Sequence, residues 1–298
     1  CQWESTRGVS KPAPTTLSTF FGTLSGYFER LGRQGPYNEA LGTGNPVDSE
    51  LVRRYRRGYK RSAVAAGFEE TAALPLEEDV FRAICKTYRA RIAATAPGVP
   101  RILLLRDLAC AQYMWATTMR GHDVGKLTLD DLRGPSGTPF PGFPPWNGGA
   151  PLPPTYRLVV VELGTKATRG KRAPPVTFSP GPDPITCFLR TLAEYATACA
   201  APDAPPGAAI RRFLFKPSTP NHRGFKEAPF QSGALSKQLT QHLQLSGLYG
   251  GQTPHSFRRG ALQAQEAAGA STEALLRFGQ IACPENLALY TDLHRQTR

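Results

Sequence analysis

His255, Arg258 and Arg259 fall within five residues, in the stretch TPHSFRRGALQAQEAAGA that opens an Ala-rich helix. An imidazole takes or gives a proton near neutral pH, and each guanidinium offers a planar fork of donors that stays charged. Three potential cations beside an apolar stripe are awkward for a helix that serves only a core. They suit a polyanion seated against the helix start. A second cluster lies earlier, in SELVRRYRRGYKRSAVAAG. There Arg53, Arg54, Arg56, Arg57, Lys60 and Arg61 place six cations in nine residues, interleaved with Tyr55 and Tyr59. That pattern suits a helix laid along a phosphate backbone.

The composition points the same way. The chain has 298 residues, more than one small core needs, which predicts a large domain with a smaller partner. Lys and Arg number 36 against 23 Asp and Glu, a formal charge of +13 with a pI near 9.7. Such a balance selects phosphate-rich partners or an anionic surface. No apolar stretch approaches the roughly 20 residues that span a bilayer, so no membrane partner is expected. The six Cys, at 1, 85, 110, 187, 199 and 283, show no CxxC and no zinc-ligand spacing. Cys85 and Cys110, among apolar neighbours, read as buried free thiols of a reducing compartment. His122, His222, His242 and His294 read as surface or loop residues, and no pair has metal-ligand spacing. No metal or cofactor is expected, and nucleic acid is the leading partner. The chain starts CQWESTRGVSKPAPTT without a Met, so it reads as an excised piece of a longer protein.

Helical spacing of Leu17, Phe20, Phe21, Leu24, Tyr27, Phe28 and Leu31 predicts a helix over 17–34. A turn-rich connector, GPYNEALGTGNPVDS, ends in a Ser suited to cap the basic helix that follows. FEETAALPLEED, with Pro75 and a cluster of acids, marks a boundary. Further helices are expected over 77–94, 100–119, 184–200, 231–247, 256–269, 271–279 and 284–294, with a short apolar piece, RRFLF, at 211–215. YRLVVVEL and APPVTF, joined through GTKATRGKR, predict a β-hairpin with a basic tip. Residues 133–155, rich in Pro and Gly, are left without assigned structure. The expected architecture is mainly α with a small β-sheet or hairpin. A partial helical DNA-binding domain and linker occupy 1–70, and a larger domain occupies 71–298.

Four stations in order resemble the signature boxes of the tyrosine recombinase, or phage integrase-like, family. TTMRGHDVGKLTLDDL supplies Arg120, Asp123, Leu127 and Asp131 at the spacing of that family's first arginine box. Lys166, in GTKATRGKR, is similar to its β-hairpin lysine, with Lys171 as the rival candidate. HSFRR matches its His-x-x-Arg box through His255 and Arg258. ALYTD matches its nucleophile segment, with Tyr290 placed 32 residues after Arg258. The resemblance covers about 75–298, and the helices before it are similar to the end of the family's core-binding domain.

The resemblance implies DNA strand cleavage and rejoining through a 3′-phosphotyrosine intermediate, with Tyr290 as nucleophile. Arg120 and Arg258 would neutralise the phosphodiester, His255 would take the phenolic proton or bond the phosphate, and Lys166 would protonate the departing 5′-hydroxyl. The chemistry requires such residues. A phosphodiester repels nucleophiles until its non-bridging oxygens meet compensating charge, and fixed charge in a dry site is a large catalytic term. An unperturbed phenol is almost wholly protonated at neutral pH, so it needs a proton acceptor and nearby cations. Asp123 would support the site, and Arg259 and Lys171 join the DNA contacts. At the station nine residues before the nucleophile, where the family usually carries His or Trp, this chain has Ile281, with Gln280 beside it. Altered activity follows as an expectation.

Double-stranded DNA is then the partner, with a homo-oligomer, a tetramer on paired sites, and integration or excision of a mobile element as the role. Localisation would be intracellular: the nucleus in a eukaryote, otherwise the cytoplasm or nucleoid. The same residue set serves type IB topoisomerases. The alternative of a different class is a catalytically inactive, recombinase-derived DNA-binding protein, and a basic adaptor for acidic proteins is a third reading.

Overall fold

The computed structural model describes residues 12–67, 73–140, 142–143, 152–161 and 174–291. The chain divides into two units, residues 1–71 and 72–298.

The first unit is built on two helices. Helix α1 (Pro14–Arg30) opens on a proline, whose missing N–H is one the first turn leaves unpaired anyway. It stops before Gly32, which takes φ +78°, so the helix ends four residues before the expected 34, and it starts three residues before the expected 17. Helix α2 (Glu50–Ala65) is capped as the sequence predicts, by the Ser49 hydroxyl accepting from the Val52 N–H. In the connector, buried Asn45 accepts from the Val47 N–H and donates to the carbonyl and hydroxyl of Ser25. Little of α2 is covered, and Arg53, Arg54, Arg56, Arg57, Lys60 and Arg61 are all exposed. Tyr55 meets Phe21 edge-on at 6.3 Å, and the Arg56 guanidinium lies 5.7 Å over the same Phe21 ring.

The second unit runs through α3 (Glu78–Ala94), α4 (Val99–Thr117), α5 (Gly121–Val124), β1 (Leu132–Arg133), β2 (Leu158–Val160) and β3 (Val176–Phe178). It continues with α6 (Phe188–Ala200), α7 (Ser232–Leu245), α8 (Pro254–Ala267), α9 (Thr272–Gly279) and α10 (Pro284–Thr291). Helix α4 is the axis. Leu105, Leu108, Cys110, Tyr113 and Met114 are fully buried, and α3, α6 and α8 pack around them. A helix covered on every side must satisfy its charges internally. Arg106, wholly buried, bonds Asp107, the Lys216 carbonyl and Gln238, and its guanidinium stacks 3.8 Å from the Phe230 ring centroid.

The predicted hairpin forms. Strands β2 and β3 pair antiparallel, Leu158 with Phe178 and Val160 with Val176. A strand the sequence did not announce, β1, completes a three-stranded antiparallel sheet in the order β1–β2–β3. The hairpin tip, with Lys166 and Lys171, lies outside the described residues. The RRFLF segment braces the start of the sheet: the Leu214 N–H donates to the Leu127 carbonyl, and the Leu129 N–H to the Arg212 carbonyl, both at 2.8 Å.

One histidine corrects the sequence reading. His242 is not on the surface but 2% exposed, stacked on Tyr88. Thr87 gives its hydroxyl proton to the Ile84 carbonyl, so Nε2 of His242 must donate to Thr87 and Nδ1 must accept from Arg91. This is a neutral imidazole with both nitrogens used. Burial, then the Arg91 charge, lowers its pKa to about 4. His122, on the short helix α5, and His222, in a loop, are exposed, as expected, and His294 lies outside the described residues. Cys85 and Cys110 are free and buried, and burial pushes the Cys85 thiol up to about 12. Among the described residues, no cluster of His, Cys, Asp or Glu is arranged to hold a metal, and no helix is long and apolar enough to cross a membrane.

Candidate active site at the ends of helices α4, α8 and α9

The chain leaves α4 through Thr118, whose backbone is left-handed at φ 56°, ψ 16°. Two residues on, Arg120 is extended and stands at the start of α5. Its side chain is half-buried, and its guanidinium has no hydrogen-bonded protein partner among the described residues. Gly125 permits the close approach that seats this turn, since a Cβ there would meet the Phe230 carbonyl oxygen at 1.7 Å. Leu127 is buried, and Asp131 caps the next turn by accepting from the N–H and hydroxyl of Thr128, both at 2.8 Å. Two members of the first box therefore act through packing and capping.

Helix α8 starts with Thr253 and Ser256 in a reciprocal capping box, with Pro254 at the first position. This fixes His255 at the rim and directs Arg258 inwards. Arg258 is 3% exposed, and two helix ends receive it. Its Nη1 donates to the Thr118 carbonyl at the end of α4 at 2.9 Å, and its Nη2 donates to the Gly279 carbonyl at the end of α9. The last carbonyls of a helix lack partners within it and carry the negative end of its dipole, so a guanidinium bridging two such ends is well placed. Burial pulls the Arg258 pKa below its ordinary value, as does the Arg120 charge; Tyr290 and Asp123 act in the opposite sense. Its Nε is buried and has no partner among the described residues.

Tyr290 comes to the same place on α10. It packs against the cluster of Leu262, Leu275 and Leu287, and the Arg258 guanidinium carbon lies 5.0 Å from the ring centroid. The phenol is within hydrogen-bonding reach of Arg258. Gln263 holds the backbone in register, donating to the Tyr290 carbonyl at 2.9 Å. His255 is exposed at the rim. Desolvation of the covered part of its ring, followed by the charges of Arg258 and Arg120, lowers its pKa. The neutral imidazole is therefore favoured, as a proton acceptor requires.

The structure thus brings Arg120, Asp123, His255, Arg258 and Tyr290 to one centre. It does not bring Arg259 there. Arg259, expected to face phosphate or solvent, is 3% exposed and donates from Nη1 to the Ala73 carbonyl. Adjacent helical positions point about 100° apart, and α8 is covered on that side because Gly260 lets the chain at Leu76 lie against it. Gln280 ends α9 in the left-handed conformation, φ 49°. Ile281 packs against the apolar cluster of Leu262, Leu275 and Leu287 that Tyr290 also joins. Sequence reasoning missed Thr118 and Gln263. Nothing in TTMRG signals a left-handed threonine, and Gln263 reads as an ordinary polar residue on the flank of its helix.

No protein-family model matches the sequence, and no curated protein matches it. Solved structures do. Over 94% of this chain and 62% of the other, at 12% identity and a TM-score of 0.51, the fold matches the XerH site-specific recombinase bound to its difH substrate in a pre-cleavage complex. A post-cleavage XerH complex on a palindromic difH substrate matches over 74% of this chain, at 14% identity and a TM-score of 0.49, and the chain spans 50% of that protein's length. The Tn1549 transposon integrase in complex with circular intermediate DNA matches over 96% of this chain and 80% of the other, at 13% identity and a TM-score of 0.46. With a mainly helical unit, a small antiparallel sheet and the match to XerH, the chain has the tyrosine recombinase fold.

Proposed function

We propose that this protein cuts and rejoins DNA strands in site-specific recombination, serving the integration or excision of a mobile element. Tyr290 is the nucleophile. Its phenolic oxygen attacks the scissile phosphorus, the phenolic proton passes to neutral His255, and the P–O5′ bond breaks. The 5′-oxygen leaves with a proton from Lys166, with Lys171 as the rival donor. Arg120 and Arg258 neutralise the phosphate oxygens, and Asp123 balances the pair. The 3′-phosphotyrosine keeps the bond energy for rejoining to a second 5′-hydroxyl, so the step needs neither a metal nor a nucleotide. Assembly as a tetramer on paired sites belongs to the same reading.

The observation that carries it is the meeting of Tyr290 with a buried arginine, 5.0 Å from its ring, beside a second arginine without a protein hydrogen bond among the described residues and a histidine whose pKa is lowered by burial and then by both arginine charges. These are the parts in-line phosphoryl transfer demands, drawn from segments 170 residues apart in the chain. In the first unit, Arg53, Arg56, Arg57, Lys60 and Arg61 line a groove of about 1130 Å³ along α2, which suits a phosphate backbone.

The test is a nicked suicide duplex that loses its leaving fragment after cleavage. The wild-type chain should accumulate a covalent DNA adduct, and Tyr290→Phe should bind the duplex equally well yet form none. Binding without an adduct in the wild type would instead mark an inactive DNA-binding relative.

A further inference from the structure

Thr118 accepts a hydrogen bond from Arg258 and stands two residues before Arg120, and the sequence motif gives it no task. It is fully buried and left-handed at φ 56°, a conformation that crowds a β-branched side chain. Glycine would take this backbone freely. Threonine persists where its hydroxyl has work, and here the hydroxyl donates to the Phe278 carbonyl at 2.9 Å.

The consequence is a closed ring of contacts. The Thr118 hydroxyl bonds Phe278, the Thr118 carbonyl accepts from Arg258, and Arg258 bonds Gly279, the residue after Phe278. Two neighbouring carbonyls at the end of α9 are thereby tied to a single residue at the end of α4. The reversal at Thr118 also redirects the chain, so that Arg120 emerges extended after one intervening residue, buried Met119.

We infer that Thr118 is a positioning residue for phosphate recognition: its hydroxyl and its left-handed backbone hold Arg120 and Arg258 at one phosphate. The inference rests on the strand-cleavage reading above. A guanidinium displaced by about an ångström loses much of its alignment with the reacting phosphate, which is enough to slow chemistry about a hundredfold. DNA affinity comes from many backbone contacts elsewhere and should hardly move.

The experiment compares Thr118→Val, Thr118→Gly and Thr118→Ser on the nicked suicide duplex, with folding checked by amide NMR spectra. Valine keeps the shape and loses the hydroxyl; glycine loses the hydroxyl but relieves the backbone, so it folds even where valine does not. Both should form adduct at least about tenfold more slowly at saturating DNA, with affinity within about twofold, while serine restores the rate. A second readout needs no cleavage. If the guanidinia shift, the His255 pKa read by NMR should rise towards its ordinary value in valine and glycine, and not in serine. A folded Thr118→Gly protein with wild-type rate and unchanged His255 overturns the assignment, as does a serine variant as slow as valine. A wild type that forms no adduct defeats the cleavage reading alone, because the His255 shift then decides Thr118 by itself.

Discussion

Arg120 and Arg258 have the same proposed task on the phosphate and opposite relations to the fold, which separates them in a stability experiment. Arg258 is 3% exposed and donates to the carbonyls of Thr118 and Gly279. Hydrogen bonds from a charged donor contribute about 1.5–3 kcal/mol each, and truncation leaves both acceptors without a donor. Part of this is offset because a buried cation no longer has to be desolvated, so Arg258→Ala should cost about 2–4 kcal/mol. For a unit of this size, that lowers Tm by roughly 5–12 °C. Arg120 has no protein hydrogen bond among the described residues, so Arg120→Ala should stay within about 0.5 kcal/mol of wild type. Urea titration followed by tryptophan fluorescence reads the effect in the second unit, where Trp115 stacks on Phe81 at 4.4 Å. Both variants should lose adduct formation. The clamp is refuted if Arg258→Ala unfolds at the wild-type urea concentration, or if Arg120→Ala is equally destabilised.

Further outcomes follow from the same geometry. Burial, then the Arg258 and Arg120 charges, lower the His255 pKa, so Arg120→Gln should raise it part of the way towards its ordinary value in an NMR titration, and an unmoved resonance would remove Arg120 from the pocket. His242 titrates at about 4 in the folded chain and near 6.5 when unfolded. Between those values the unfolded chain binds the extra proton, so stability is lost as pH falls from about 6.5 towards 4, by up to about 3 kcal/mol. His242→Gln should flatten that part of the urea-stability profile, and an unchanged slope would contradict the neutral, doubly bonded ring. On α2, Arg53 and Arg61 are exposed and line the groove. Replacing each by Ala should reduce the slope of log affinity against log salt by about 0.9; a wild-type slope in the double variant would take α2 off the DNA.

What local chemistry dictates was legible in the sequence: the Ser49 cap, the two strands of the hairpin, and the cationic face of α2. Each depends on contacts within a few residues, where periodicity and side-chain type decide the outcome. The spacing of Arg120, His255, Arg258 and Tyr290 named the candidate pocket without showing that it closes. Tertiary structure decided the rest. Arg258 and Arg259 are neighbours of one type, yet one joins Tyr290 and the other is buried against Ala73, because a turn of 100° on α8 faces different walls. His242 looked like a solvent residue until α3 supplied Thr87, Tyr88 and Arg91. Thr118 looked like the last turn of a helix until α9, 160 residues away, gave its hydroxyl an acceptor. A buried polar group takes the place where its hydrogen bonds are completed, and when those partners lie far along the chain, only the folded arrangement of helices brings them within reach.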